Sequence, residues 1–153
     1  MKIYLAGSLF SEVEVAGRWD EYHRAVKALP DATIFSPIAA EYNQNKNDLP
    51  TPEDIYWGDF EEILGSQYVI FDMGSALDPG LNLELGIVCG LNHHLNNKII
   101  PIAVYSDIRL DAANQYDIPS LGYNHMVVGA FDAHGHSVRS FDEALELIKK
   151  LES

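Results

Sequence analysis

The chain contains the stretch Asp78-Pro79-Gly80-Leu81-Asn82-Leu83-Glu84-Leu85-Gly86, which follows the hydrophobic segment Tyr68-Val69-Ile70-Phe71. That earlier segment has the composition of a buried strand. Asp78 suits the N-cap of a helix and Pro79 its first position, so a helix is predicted to begin there. Glu84 then falls in the second turn, with apolar residues at i−3 and i+4. A carboxylate is thus placed on the face that the helix should bury, and such burial is costly enough to indicate a use.

Outward from this stretch, predicted strands and helices alternate along the chain. The predicted strands span residues 2–6, 33–36, 67–71, 98–105 and 125–128. The predicted helices begin at the capping residues Ser11, Thr51, Asp78 and Ser140. Residues 38–50 are polar and irregular, which is typical of a functional loop, and residues 106–123 show no clear periodicity.

Alternation of this kind predicts an α/β fold. We expect a single domain over residues 1–153, with a flavodoxin-like, doubly wound, five-stranded parallel sheet and helices on both faces. Ligands of such sheets bind outside the carboxyl ends of the strands, where the strand order reverses.

Bulk composition narrows the function classes. The net charge of −13 argues against nucleic-acid polymers and anionic membrane surfaces as partners. No apolar run reaches the roughly 18 residues that a membrane span needs. Cys89 is the single cysteine, so no intrachain disulfide is possible and a cytoplasmic location is the default expectation.

Acidic residues fall where the predicted fold would gather them. Asp59 interrupts an apolar helical face, at i+4 from Ile55 and i−4 from Ile63. Together with Glu84 it suggests a carboxylate cluster suited to glycosyl chemistry, in which one carboxylate attacks and another donates a proton. A divalent-metal site is the competing use, with Asp72 and Asp78 as its best-placed ligands. Taken singly, Asp78 is also explained as a helix cap and Asp72 as a turn residue.

Other polar residues carry weaker signals. Tyr4 lies in a strand predicted to be buried on both faces, so its hydroxyl needs either a carboxylate of the cluster or a backbone carbonyl as partner. Gly7 and Ser8 follow that strand, where many doubly wound folds bind phosphate, but no glycine-rich phosphate motif follows them. The histidines at 93, 94, 134 and 136 lack metal-ligand spacing, and no metal site is predicted from them.

In several of these residues the chain resembles the nucleoside 2-deoxyribosyltransferase family. Ile3-Tyr4-Leu5-Ala6-Gly7 resembles the family's opening strand with its active-site tyrosine. Asp59 resembles the first base-side aspartate. Asp78 and the glutamate of Glu84-Leu85-Gly86 resemble the second aspartate and the nucleophile. The segment Asn114-Gln115-Tyr116 resembles one that enters a neighbouring subunit's site.

The resemblance implies a mechanism. Glu84 would attack C1′ of a 2′-deoxynucleoside to form a covalent deoxyribosyl ester, while Tyr4 orients the glutamate. Asp59 or Asp78 would protonate the departing base. A second free nucleobase would then attack the ester. The resemblance implies no metal or organic cofactor, and a homo-oligomer (dimer or hexamer) with shared sites.

Substrate contacts are implied as well. The positions expected to bind substrate are Gly7, Ser8, Gln44, Gly80 and Asn114. The loop at 38–50 has no clear counterpart of the family's base-binding glutamine, for which Gln44 is the nearest candidate. The C-terminal helix is not assigned to the site, so purine or pyrimidine preference is not predicted.

Two rival interpretations remain open. A deoxynucleoside 5′-monophosphate N-glycosidase would share the fold and the glutamate but use water as acceptor. Glu12 and Glu14, soon after Ser8, should repel a phosphate dianion, and Arg18 lies farther along the helix. A non-catalytic nucleotide-binding module is the second rival, but it would have no need for a buried glutamate, aspartate and tyrosine together.

Overall fold

A computed structural model describes residues 1–41, 50–74, 78–94, 98–110 and 123–153, apart from the side chain of Arg109. The strands in these ranges are β1 (Lys2–Ala6), β2 (Thr33–Phe35), β3 (Tyr68–Asp72), β4 (Ile100–Val104) and β5 (His136–Val138). The α-helices are α1 (Glu12–Ala28), α2 (Pro52–Leu64), α3 (Pro79–Asn92), α4 (His125–His134) and α5 (Phe141–Leu151). Short 3₁₀ turns occupy Pro37–Ala39 and Ile108–Leu110.

The strands form one parallel sheet in the order β2-β1-β3-β4-β5. The predicted flavodoxin-like architecture is confirmed. The chain runs from β1 outward to β2, then crosses to the other side of β1 to form β3. The strand order therefore reverses between β1 and β3, and a crevice is expected at their carboxyl ends.

Helices cover both faces of the sheet. Alternate residues of β1 point to opposite faces, so Tyr4 and Ala6 belong to one buried cluster and Ile3 and Leu5 to the other. The first cluster takes apolar side chains from α2, α3 and α4, and the second takes them from α1 and α5. Burial on both faces explains why the central strands are continuous apolar runs.

Helix starts match their sequence signals. Ser11 and Glu14 form a reciprocal capping box, as do Thr51 and Asp54. Asp78 caps α3 by accepting a hydrogen bond at Oδ1 from the Gly80 N–H, at 2.8 Å. These caps fix where α2 and α3 begin, and those two helices flank the crevice.

The strand predicted at residues 125–128 is wrong. These residues open helix α4, whose N-cap Asn124 accepts a hydrogen bond from the Met126 N–H at 2.9 Å. Consecutive β-branched valines suggested a strand, but Val127 and Val128 stand at helical spacing from the fully buried Phe131. A parallel connection from β4 to β5 needs a crossover, and α4 supplies it. The true β5 follows Gly135, which ends the helix.

Candidate active site

A pocket of about 270 Å³ lies at the crevice where the strand order reverses. Its lining residues come from the segments that follow β1 and β2 and from α2 and α3. They are Gly7, Leu9, Phe10, Pro37, Ile55, Asp59, Asp78, Gly80, Leu81 and Glu84. The pocket thus brings together three of the four carboxylates that the sequence singled out, and Asp72 is not among its lining residues. No lysine, arginine or histidine is among these described lining residues.

Glu84 is held by the fold rather than left to solvent. It lies in the second turn of α3, between the buried residues Leu81 and Val88. The Tyr4 hydroxyl donates a hydrogen bond to Glu84 Oε1 at 2.6 Å. Tyr4 is fully buried on the central strand β1, and its ring stacks on Phe35 with centroids 5.3 Å apart. One oxygen of the Glu84 carboxylate is thus held by Tyr4 while the residue lines the pocket.

Three neighbours act on the charge of Glu84. Burial raises the pKa of Glu84 to about 7, because the charged form loses hydration. The negative charges of Asp59 and Asp78 raise it as well, whereas the Tyr4 hydrogen bond lowers it by stabilising the carboxylate. Glu84 therefore changes charge near neutrality, in the range where a carboxylate can serve in catalysis.

Asp78 both caps helix α3 and lines the pocket. Its Oδ1 accepts the hydrogen bond that caps α3. Gly80 suits this turn, since a Cβ at that position would lie 3.1 Å from Asp78 Oδ1. Asp59 reaches the same pocket from α2. The two aspartates therefore approach Glu84 from two different helices.

Of the predicted substrate-binding positions, two line the pocket, one does not, and two lie outside the described residues. Gly7 and Gly80 line the pocket. Ser8 is buried and is not among the lining residues. Its hydroxyl joins Ser11 in hydrogen bonding to Glu14, and these bonds lower the pKa of Glu14, with the Ser11 side chain as the larger influence. Gln44 and Asn114 lie outside the described residues.

The contacts of Arg18 were not predicted from the sequence. Although Arg18 lies farther along α1 than Glu12 and Glu14, its side chain is buried and packs directly on Gly7. Its Nη2 donates to Asp72 Oδ2 at 2.6 Å and to Glu21 Oε1 at 3.2 Å. The spacing of Arg18 and Glu21 at i and i+3 was a usable signal. Their contact with Asp72 depends on the order of the strands, which the sequence does not state.

A second groove, of about 210 Å³, runs outward between α2 and α3. It shares Ile55, Asp59, Gly80 and Glu84 with the first pocket. Its other lining residues are apolar or aromatic: Pro52, Tyr56, Phe60, Ile63, Leu83 and Ile87. Asp59 and Glu84 therefore lie where two concave surfaces meet.

The described residues contain neither a metal-binding group nor a membrane-spanning helix. Among the described residues, no three His, Cys, Asp or Glu side chains are grouped so that they could hold a metal ion. Asp72, a candidate metal ligand from the sequence, is instead ion-paired with Arg18. In the part of the chain that the structure describes, every helix is too short or too polar to cross a bilayer.

Replacing Tyr4 with phenylalanine tests whether the tyrosine tunes Glu84. The variant loses the hydrogen bond that lowers the pKa of Glu84, so that pKa should rise above about 7. If ionised Glu84 is required, the acidic limb of the pH profile of kcat/KM should move to higher pH. Activity should then fall at neutral pH and partly recover at alkaline pH.

Tyr68→Phe is the matched control for this variant. Tyr68 also lies on a central strand and donates its hydroxyl to a carboxylate, that of Glu152 at 2.7 Å, but it belongs to the opposite face of the sheet. Its removal should leave the profile in place. An unshifted acidic limb in Tyr4→Phe would show that Tyr4 does not tune the reacting carboxylate.

Comparison with known sequences leaves the family open. No protein-family model matches the chain. Zinc finger CCCH domain-containing protein 38 of Arabidopsis thaliana is 27% identical over 141 residues. That alignment covers 92% of this chain but 18% of the plant protein, so the chain spans about a fifth of the length of this relative.

Comparison with solved structures shows the fold. A conserved protein from Enterococcus faecalis V583 superimposes with a TM-score of 0.79 at 25% identity, covering 98% of both chains. A CMP N-glycosidase from Clostridium botulinum has a TM-score of 0.58 at 13% identity, covering 99% of both chains. A 2-deoxyribosyltransferase from Bacillus psychrosaccharolyticus has a TM-score of 0.57 at 18% identity, covering 95% of this chain and 90% of the enzyme. The chain therefore shares its fold with a 2-deoxyribosyltransferase and with a CMP N-glycosidase.

Proposed function

We propose that this protein is a nucleoside 2-deoxyribosyltransferase, which exchanges the base of 2′-deoxynucleosides through a covalent intermediate on Glu84. One observation carries the proposal: a buried glutamate accepts a hydrogen bond from Tyr4 at 2.6 Å inside a pocket that also contains Asp59 and Asp78. The fold shared with two enzymes named for N-glycosidic or deoxyribosyl chemistry supports the same class of reaction.

In the first half-reaction the deoxyribosyl group moves to the enzyme. A carboxylate oxygen of Glu84 attacks C1′, a C1′–O bond forms, and the bond from C1′ to the base nitrogen breaks. The departing base takes a proton from Asp59 or Asp78. In the second half-reaction another base attacks C1′ and the ester bond to Glu84 breaks. The aspartate that protonated the departing base then accepts the proton of the incoming base. The two inversions give net retention at C1′.

The charges in the pocket fit the assignment of Glu84 as nucleophile and of an aspartate as proton donor. Three carboxylates in one small site cannot all ionise easily, because like charges disfavour one another. Tyr4 donates to Glu84 and so favours the ionised form that a nucleophile needs. In this assignment Asp59 or Asp78 carries the proton that the leaving base takes. Neither step requires a metal ion or an organic cofactor.

The rival activity is hydrolysis of a deoxynucleoside 5′-monophosphate. Two observations support this activity: the chain shares its fold with a CMP N-glycosidase, and Arg18 lies next to Gly7. Against it, the described lining of the pocket is acidic and contains no cationic side chain, and Arg18 is already paired with two carboxylates. A phosphate monoester dianion would be repelled there, so we favour an uncharged nucleoside as the substrate.

Chromatography of thymidine and free adenine incubated with the protein separates these functions. Deoxyadenosine and thymine should appear, and neither should form with Glu84→Gln. If thymidine alone releases thymine without exchange, the acceptor is water. If thymidine is untouched but its 5′-monophosphate releases base, the transferase proposal is replaced by the nucleotide hydrolase. If neither thymidine nor its 5′-monophosphate reacts, a non-catalytic nucleotide-binding module becomes the favoured function.

We also propose a homo-oligomer that buries an aromatic surface of α2 and α3. Tyr56, Trp57 and Leu83 are 40%, 51% and 56% exposed, and the first two contact each other with ring centroids 5.0 Å apart. Aromatic residues are enriched in protein interfaces. Because each copy carries a net charge of −13, two copies should meet through an uncharged surface such as this one.

Trp57→Glu should convert the assembly to monomers, since a carboxylate cannot be buried unpaired in an apolar contact. Light scattering coupled to size-exclusion chromatography measures the change. Val26→Glu is the control, because it places the same charge on an exposed apolar position of α1. A monomeric unmodified protein, or an oligomer unaffected by Trp57→Glu, would contradict the proposal.

A further inference from the structure

A buried cation stands immediately behind the wall of the pocket. Arg18 is 7% exposed, and a Cβ added to Gly7 would lie 1.7 Å from Arg18 Nη1. Gly7 itself lines the pocket. The backbone of Gly7 therefore lies between the guanidinium and the pocket.

The nitrogens of this guanidinium differ in the number of hydrogen bonds that they donate. Nη2 donates to both Asp72 and Glu21. Nε is buried and has no hydrogen-bond partner among the described residues. An arginine fork can engage a carboxylate or phosphate through two N–H groups, whereas here only one nitrogen reaches Asp72. Arg18 thus retains donor capacity that its present partners do not satisfy.

Asp72 is the last residue of β3, and both of its carboxylate oxygens accept hydrogen bonds. Its Oδ2 accepts from Arg18, and its Oδ1 accepts from the Gly74 N–H at 2.9 Å. Burial raises the pKa of Glu21 to about 7, even though the charge of Arg18 opposes this. Arg18 thus donates to two carboxyl groups, which offset its positive charge.

We propose that Asp72 is a specificity-determining residue that withholds Arg18 from the substrate, so that the site accepts deoxynucleosides with a free 5′-hydroxyl and excludes their 5′-phosphates. This inference rests on the proposed function. A phosphate monoester carries a charge of about −1.5 to −2 at neutral pH. It needs a cation nearby, and Arg18, the one cation that the described residues place behind this wall, is already paired with Asp72 and Glu21.

Asp72→Asn tests the inference directly, because it removes the charge while its side-chain oxygen can still accept from Gly74. We expect kcat/KM for thymidine 5′-monophosphate, relative to thymidine, to rise by about tenfold or more as Arg18 becomes available. The gain should shrink at high salt, since screening weakens the attraction. A structural disturbance alone would lower both values together and leave their ratio unchanged.

Asp142→Asn provides a matched control. Asp142 pairs with Arg24, another arginine of α1, on the exposed side of the helix. The control removes one carboxylate from one arginine pair without touching the wall of the pocket, so the ratio should stay at its original value. If Asp72→Asn does not fold, Asp72→Ser makes the same test, because it also removes the charge and leaves a hydroxyl oxygen that can accept from the Gly74 N–H.

The inference and the proposed function fail in distinguishable ways. If the unmodified protein exchanges thymidine and no variant gains on the monophosphate, the inference is overturned and the function stands. If the unmodified protein uses the monophosphate as well as thymidine, the inference is overturned too. If neither substrate reacts, the proposed function fails, and calorimetric binding of thymidine 5′-monophosphate still decides the inference. Tighter binding by Asp72→Asn than by the unmodified protein supports it, and equal binding overturns it.

Discussion

Glu84→Gln is expected to reduce base exchange by at least about a thousandfold, because the amide cannot form the ester with C1′. The substitution is nearly isosteric. The amide oxygen can still accept the hydrogen bond from Tyr4 that Glu84 accepts at 2.6 Å. Steady-state rates of thymine release and deoxyadenosine formation measure the loss. The experiment therefore removes the reacting atom while keeping its surroundings.

Stability against urea shows that this variant is folded. In the folded protein the pKa of Glu84 is raised to about 7 from an ordinary value of 4.5. The folded state thus binds this proton more tightly than the unfolded chain does. The unmodified protein should lose stability as pH rises from about 4.5 to 7, a loss that Glu84→Gln escapes. The variant should be the more stable of the two above pH 7, and the advantage should fade at acid pH.

Two results would contradict this account. Normal exchange by Glu84→Gln would show that Glu84 is not the nucleophile. A variant less stable than the unmodified protein at every pH would show that the carboxylate is a structural group, and the loss of activity would then carry no mechanistic meaning.

Asp78→Asn has the second-largest expected effect, a loss of about a hundredfold in the rate of base release. Asparagine caps helices as well as aspartate does, and it can keep the hydrogen bond from the Gly80 N–H. The start of α3, and with it Glu84, should therefore stay in place. What disappears is a carboxyl group able to protonate the departing base.

Leaving-group dependence separates this role from a structural one. Nucleosides whose bases depart readily without protonation should lose less activity in Asp78→Asn than those whose bases need the proton. Asp59→Asn is the parallel variant, because Asp59 lines the same pocket from α2. The aspartate whose variant shows the steeper dependence on leaving group is the proton donor. Equal losses for all bases, with weakened binding, would instead assign Asp78 to substrate binding.

Local signals in the sequence predicted most of what positions the site. The caps at Ser11, Thr51 and Asp78 are side chains that satisfy backbone N–H groups a few residues away, so they can be recognised without tertiary information. Glu84 was found because a carboxylate at an apolar helical position violates the expected pattern. Both kinds of signal depend only on spacing along the chain.

Features that depend on strand order were harder to predict. The contact between Arg18 and Asp72 spans 54 positions and exists because β1 and β3 are neighbours. In α4 the β-branched valines favour a strand locally, whereas packing of Phe131 on Phe71, with ring centroids 5.4 Å apart, favours the helix. Tertiary contacts decided both cases.

Mass spectrometry of the protein mixed rapidly with a deoxynucleoside and quenched in acid tests the central claim most directly. We expect one deoxyribosyl group attached to the intact chain, mapped to Glu84 in the peptide that contains Asp78-Pro79-Gly80, and absent from Glu84→Gln. An adduct on another residue, or base release without any adduct during turnover, would contradict covalent catalysis by Glu84.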